Sequence, residues 1–288
     1  MLGDIGQVGK WLFDLKLDIH SATISVVVML VLFAVFRQFR HPWARFVSAA
    51  ALEIAIVCGL FALWQVANEV TRGHTTGGLR NGEDIWSFER WLHLPSETSV
   101  QHLILGHPLW VRASNYYYDT AHLTVMFVFL IWLWLRHRDR YPEFRNTLAL
   151  VTGMCLLIQM ISVAPPRLIG GTGLIDTAAA YGQSVYTVYG NIADQYAAMP
   201  SIHVAWAMLI SVAVLRCSTS RWRWVGALYG PVTFFVVVAT ANHYWMDGFV
   251  AMALLAVAFV AAAALEPIRL RLRLPDPATA QIQQGAFS

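Results

Sequence analysis

The chain has 288 residues, of which 57% are hydrophobic and 13% charged, and its mean hydropathy is +0.52. That balance excludes an ordinary soluble protein and makes lipid the main solvent. A formal charge of +3, spread thinly along the chain, gives no basis for nucleic-acid binding.

The first twenty residues carry two lysines and three aspartates, and no small-residue cleavage pattern follows the apolar run after them. They do not read as a cleaved signal peptide, so that run is expected to remain as a membrane span. A bilayer core of roughly 30 Å needs about 20 helical residues. Seven segments are expected to cross it: residues 21–36, 46–66, 120–135, 147–163, 202–215, 224–241 and 249–265. The expected fold is all-α, a polytopic helical bundle. Residues 1–74 would form an N-terminal segment with two spans, 75–265 the catalytic region, and 266–288 a basic and flexible cytoplasmic tail.

Arginines alternate between the connections. Arg37, Arg40 and Arg45 share one; Arg136, Arg138, Arg140 and Arg145 the next but one; Arg216, Arg221 and Arg223 another; and Arg269, Arg271 and Arg273 follow the last span. These 13 of the 20 basic residues mark the cytoplasmic face of a multi-pass cell-membrane protein. The C-terminus then lies inside, and the connections 67–119 and 164–200 lie outside with the turn at 242–247. Within the first of these, Leu79, Ile85, Trp86, Phe88, Trp91 and Leu92 recur at helical spacing, with Arg80, Glu83, Asp84 and Arg90 between them. An amphipathic helix in the membrane interface is expected there, either covering the spans or forming a lid over a lipid entrance.

Cys58, Cys155 and Cys217 lie in or beside apolar segments without C-x-x-C spacing and read as packing residues. The reactive side chains concentrate in two stretches, MPSIHVAW at 199–206 and ATANHYWMDGF at 239–249. Ser201 and His203 follow Pro200 at the expected start of a helix, where free N–H groups favour an anion such as phosphate. His243 and Asp247 are four apart, so on a helix the carboxylate can hold one imidazole nitrogen and leave the other free to attack. Taken alone, the pair could equally stabilise a helix end. Ionisable groups bordering a span are usually functional, which favours the chemical role when both stretches are considered together. His203, His243 and Asp247 are also legal zinc ligands, but they lack a HExxH-type pair.

The P-S-x-H and H-x3-D stretches, separated by two spans and a basic connection, resemble the second and third motifs of the type 2 phosphatidic acid phosphatase superfamily. APPR at 164–167, NYYYDTAH at 115–122 and NHYWMD at 242–247 resemble its branch of inositol phosphorylceramide synthases and their bacterial relatives. The resemblance covers roughly residues 75–265 and implies a six-helix phosphatase-like core. It also implies that His243 attacks phosphorus, Asp247 orients it, His203 protonates the departing oxygen and later activates the acceptor, and Ser201 holds a phosphate oxygen. The implied function is a lipid-phosphate phosphotransferase or phosphatase on the extracytoplasmic leaflet, passing a phospho-head group to an inositol- or sugar-like alcohol. A prenyl or phosphatidyl phosphate phosphatase is the alternative, as is an inactive transporter or scaffold of the same fold. Such a site needs no metal or cofactor if donors surround the phosphate.

Two departures stand out. The superfamily's first motif, K-x6-R-P, is absent in that form: Met160 stands where its lysine would fall, and Pro165, Pro166 and Arg167 follow. The Ser-Arg that opens its third motif is also missing, with Val237 at the corresponding position. Arg167, the basic residue of the 164–200 connection, is the candidate replacement, with a surface arginine beside two prolines as the plainer reading. Tyr118 and His122 share a helix face and are expected either to line the same pocket or to pack as satisfied core residues. Asn242 could donate to phosphate, but a cap on the last helix is the favoured expectation.

Overall fold

The computed structural model describes residues 19–71, 77–183 and 195–272. The chain is all-helical, and among these residues β-pairing is limited to an isolated bridge between Val163 and Ala197. The N-terminal twenty residues, apart from the last two, and the tail beyond 272 lie outside the described residues.

Two compact units divide at His74 and Thr75. The first contains α1 (Ile19–Phe36) and α2 (Pro42–Thr71), packed on each other as a hairpin. Ala22, Ala44, Ala51 and Ala55 are buried, so small side chains let the two backbones approach where lipid offers no hydrophobic drive. Ser48 closes the hairpin by donating to the Phe33 carbonyl at 3.2 Å.

The second unit carries α3 (Gly78–Trp91), α4 (Glu97–Leu105), α5 (Pro108–Arg136), α6 (Tyr141–Gln159), the short α7 (Thr177–Ala180), α8 (Ile202–Cys217), α9 (Arg223–Ala227), α10 (Tyr229–Ala239) and α11 (Trp245–Leu272). α8 packs on α6, α10 and α11, and α6 packs on α11. Among the described residues, three stretches are long and apolar enough to cross a membrane: Pro42–Leu63, Pro108–Arg136 and Trp245–Leu265. The other expected spans coincide with helices that are shorter or less apolar.

Several boundaries differ from expectation for identifiable reasons. α5 begins at Pro108, well before 120, because its first turns carry Asn115, Tyr118 and Asp119 along a protein-lined cleft rather than against lipid. The segment expected as one span at 224–241 is broken at Leu228 into α9 and α10. α11 continues to Leu272, so the beginning of the expected flexible tail is helical. α4 had no counterpart in the sequence reading.

The expected amphipathic helix is α3. Gly78, Gly82 and Glu89 are buried, and Ile85 and Trp86 pack on a cluster formed by Val163, Ala164, Ile169, Ala198 and Tyr244. Gly82 makes this docking feasible, since a Cβ there would lie 2.8 Å from both the Ala164 carbonyl and the Tyr244 hydroxyl. Leu79, Phe88 and Trp91 stay exposed on the remaining surface.

The two ends of this unit differ in chemistry. Glu143 in the first turn of α6 receives Arg140 at 3.3 Å and Arg216 at 3.2 Å, joining the start of α6 to the end of α8. His203 lies at the other end of α8, about 20 Å away at 1.5 Å rise per residue.

Candidate active site

The site forms where the start of α8 meets the turn between α10 and α11. α10 ends in a reversed turn: Asn242 N–H and Ala241 N–H bond to the carbonyls of Val237 at 3.1 Å and Val238 at 2.9 Å. Ala241 takes the left-handed conformation this requires, with φ of 54°. His243 N–H also reaches the Val237 carbonyl at 3.1 Å, so the turn delivers His243 in a fixed position.

His243 Nδ1 lies 2.8 Å from the Ala198 carbonyl and 3.1 Å from Asp247 Oδ2. Both partners are acceptors, so the proton belongs on Nδ1 and the lone pair on Nε2. Nε2 is buried and has no hydrogen-bond partner among the described residues. Asp247, fully buried, also accepts from the Tyr244 N–H at 2.9 Å. Burial, reinforced by the Arg167 charge and opposed by the Ala198 hydrogen bond, lowers the His243 imidazole to about 4. The ring is therefore neutral and carries an available lone pair at physiological pH.

His203 lies beside it, with ring centroids 5.7 Å apart. Its ring stacks on Tyr118 at 4.5 Å and meets His122 at 4.2 Å. His122 in turn stacks on Trp206 at 4.4 Å, and Trp206 donates to Thr152 at 2.8 Å. Tyr118 and His122 thus belong to the same aromatic layer as His203, and line a narrow cavity with Tyr117, Tyr229, Thr233 and Val237.

Ser201 is fully buried at the N-cap of α8, where its Oγ accepts from the Val204 N–H at 3.4 Å and its own N–H donates to the Asp247 carbonyl at 3.2 Å. The cap uses the oxygen as acceptor and leaves the hydroxyl hydrogen to point elsewhere.

Arg167 is not a surface arginine: its side chain is 3% exposed. Nε pairs with Asp176 at 3.2 Å, Nη1 donates to Asn242 Oδ1 at 2.7 Å, and its backbone N–H bonds to the Ala241 carbonyl at 3.1 Å. Asn242 therefore does not cap the last helix as expected. Its carbonyl holds the arginine and its amide donates to Thr240 at 2.8 Å, because the cation offers a stronger partner than the helix end. Both line a second cavity with Asn115, Tyr118, Asp119, Asp176 and Ala178.

Of the two departures, Met160 is largely exposed and Val237 is buried under the turn whose N–H groups it accepts. Among the described residues no group of three His, Cys, Asp or Glu side chains converges on a point where a metal ion could sit. The sequence reading missed Glu89 and Glu97, both fully buried, of which Glu89 accepts the Met246 N–H at 2.7 Å. A signal existed: Glu89 continues the stripe of Gly78, Gly82 and Ile85 at helical spacing.

A family model of the PAP2 superfamily matches residues 83–261. The chain belongs to the PAP2 superfamily. This membership carries phosphatase or phosphotransferase activity on phosphorylated lipids as the general function. No curated protein and no solved structure matches the chain.

Proposed function

We propose that this PAP2 superfamily member cleaves or transfers the phosphate-containing head group of a membrane lipid through a phosphohistidine at His243. The observation that carries the proposal is the one-sided His243 ring, with Nδ1 held by Ala198 and Asp247 and a buried Nε2 left open. Nε2 attacks phosphorus, the bond to the leaving oxygen breaks, and His203 supplies the proton that oxygen needs. In the second half His203 takes a proton from water or an alcohol, whose oxygen displaces His243 from phosphorus. Arg167, the Ser201 hydroxyl and the first N–H groups of α8 stabilise the equatorial oxygens.

Transfer to a polyhydroxylated acceptor, as in the inositol phosphorylceramide synthase branch, finds support in the cavity beside Arg167. Asn115, Asp119 and Asp176 offer oxygens there that suit alcohol donors. Hydrolysis of a prenyl or phosphatidyl phosphate uses the same steps with water. The narrow cavity at His122 and His203 favours that reading.

The site is assigned to the extracytoplasmic leaflet of a multi-pass membrane protein, with residues 1–74 as an appended two-helix segment and 75–265 as the catalytic region. The separation of the Arg140–Glu143–Arg216 cluster from His203 along α8 supports this orientation. Accessibility labelling of a cysteine at Thr172 from outside intact cells tests it, and labelling only after permeabilisation reverses it.

The test of function is purified protein in nanodiscs offered lipid phosphates with and without alcohol acceptors, reading free phosphate and new lipid. His243→Ala abolishes both products. Undiminished product in that variant would overturn His243 as the nucleophile, and neither product from the folded wild type would instead support the transporter or scaffold alternative.

A further inference from the structure

We propose that Glu89 is a positioning residue for the histidine site, acting as a protonated carboxylic acid that bridges the Glu97 carboxylate to the Met246 N–H. The assignment rests on the phosphohistidine reading for its catalytic consequence, but not for its geometry.

Glu89 and Glu97 come from α3 and α4 and are each fully buried. Among the described residues, one cation serves both. Arg90 Nη2 lies 3.3 Å from Glu97 Oε2 and 3.8 Å from Glu89 Oε2, so its hydrogen bond goes to Glu97. The same nitrogen donates to the Pro95 carbonyl at 3.2 Å, and the guanidinium lies 4.8 Å over the Trp86 ring. Two buried carboxylates against one arginine leave an uncompensated charge, which is costly enough that a proton is retained instead.

The remaining oxygens locate that proton. Glu89 Oε2 and Glu97 Oε1 are both buried, and among the described residues each lacks a hydrogen-bond partner when the two groups are counted as carboxylates. One O–H donated from Glu89 to Glu97 satisfies both at once. Glu89 Oε1 is then the neutral acid's carbonyl, accepting from Met246. Burial first, then the hydrogen bond and charge of Glu97, raise the Glu89 carboxyl to about 9, with Met246 pulling the other way and the nearby Asp247 adding to the rise.

The catalytic link is short. Met246 N–H is one of the free donors in the first turn of α11, and Glu89 supplies its acceptor. The next residue is Asp247, which fixes His243. Glu89 thus ties the interfacial helix α3 to the turn that sets the imidazole. The other groups around this point are Tyr244, whose hydroxyl bonds to Ala164 at 2.9 Å, and Glu83 on the exposed face of α3. Its contribution is present in full below the ordinary carboxyl range and is lost as pH rises through about 9, where two adjacent carboxylates would have to coexist.

Gln reproduces the protonated acid, with a carbonyl for Met246 and an N–H for Glu97. Glu89→Ala should lower kcat by roughly tenfold or more with KM little changed, because displacement acts on alignment. Glu89→Gln should restore kcat and move the alkaline limb of the pH profile upward. Glu97→Gln should remove the need for the Glu89 proton, since its amide oxygen can accept from Arg90 while its N–H donates to Glu89. The infrared band of the protonated carboxyl should be lost in that variant. Equal loss in Glu89→Gln and Glu89→Ala, both folded, overturns the proposal.

Two readouts need no substrate. Infrared spectra should show a protonated buried carboxyl at neutral pH that disappears in Glu89→Gln. Nitrogen NMR of labelled histidine should show the Nδ1–H form of His243 perturbed in Glu89→Ala and restored in Glu89→Gln. Their success with an inactive wild type would remove the phosphohistidine reading alone. Absence of the carboxyl band in an active enzyme would remove this proposal alone.

Discussion

Asn242 Oδ1 accepts the Arg167 Nη1–H at 2.7 Å, so the residue just before the proposed nucleophile holds the proposed phosphate cation. The proposed nucleophile and the proposed cation are thereby tied to one turn, and this anchored guanidinium is the proposed replacement for the lysine and arginine absent from their usual positions.

Replacing that guanidinium should be expensive even when charge is kept. Lysine is a point charge and cannot reproduce the arginine's simultaneous hold on Asp176 and Asn242. Arg167→Lys should raise KM on the order of tenfold, and Arg167→Ala should lower kcat/KM on the order of 100-fold. Steady-state kinetics on a lipid phosphate checks both values.

Asp247 acts through the histidine tautomer. His243 Nδ1–H and Tyr244 N–H share Asp247 Oδ2, so asparagine can keep both bonds through its one oxygen. It removes the negative charge, which holds the Nδ1 proton and strengthens Nε2 as a nucleophile. Asp247→Asn should lower kcat on the order of 100-fold, whereas His243→Ala leaves no measurable turnover. His203→Ala, lacking the group that activates the acceptor, should accumulate phosphohistidine when the substrate has a good leaving group. Phosphoramidate detection by acid lability and mass spectrometry reads that outcome.

The His243 ring sets an acid limit. With its pKa lowered to about 4, Nε2 keeps its lone pair above that pH, and kcat/KM should fall as pH drops through about 4. The same shift bears on stability. An unfolded imidazole binds protons near its ordinary value of 6.5, so the contribution is present in full above 6.5 and is lost as pH falls toward about 4. His243→Gln should flatten this part of the pH–stability curve in detergent, measured by thermal unfolding.

Backbone strain at the turn offers a test separate from chemistry. Ala241 occupies a left-handed conformation at φ 54° that glycine adopts freely. Ala241→Gly should stabilise the protein by about 1 kcal/mol, and Ala241→Val should destabilise it by at least as much. On α3 the sign reverses. Gly82→Ala would push a methyl to 2.8 Å from the Ala164 carbonyl and Tyr244 hydroxyl and should cost roughly 1–3 kcal/mol.

The sequence by itself determined the all-helical class, because long apolar runs in lipid must satisfy their backbone internally. It also singled out the proposed site residues: His243 and Asp247 are four apart on one chain segment, and Ser201 and His203 open a helix, so local spacing was enough to nominate them. Only the tertiary structure decided what those residues meet. Arg167 and Asn242 are 75 positions apart, and nothing local told that asparagine to hold a cation rather than cap a helix. Met246 and Glu89 are 157 apart, and a glutamate on an amphipathic helix reads as solvated until the docking of Gly78 and Gly82 turns it inward. Spacing within a helix is written in the order of residues. Partners between helices depend on packing, and it is packing that makes the cradle around His243.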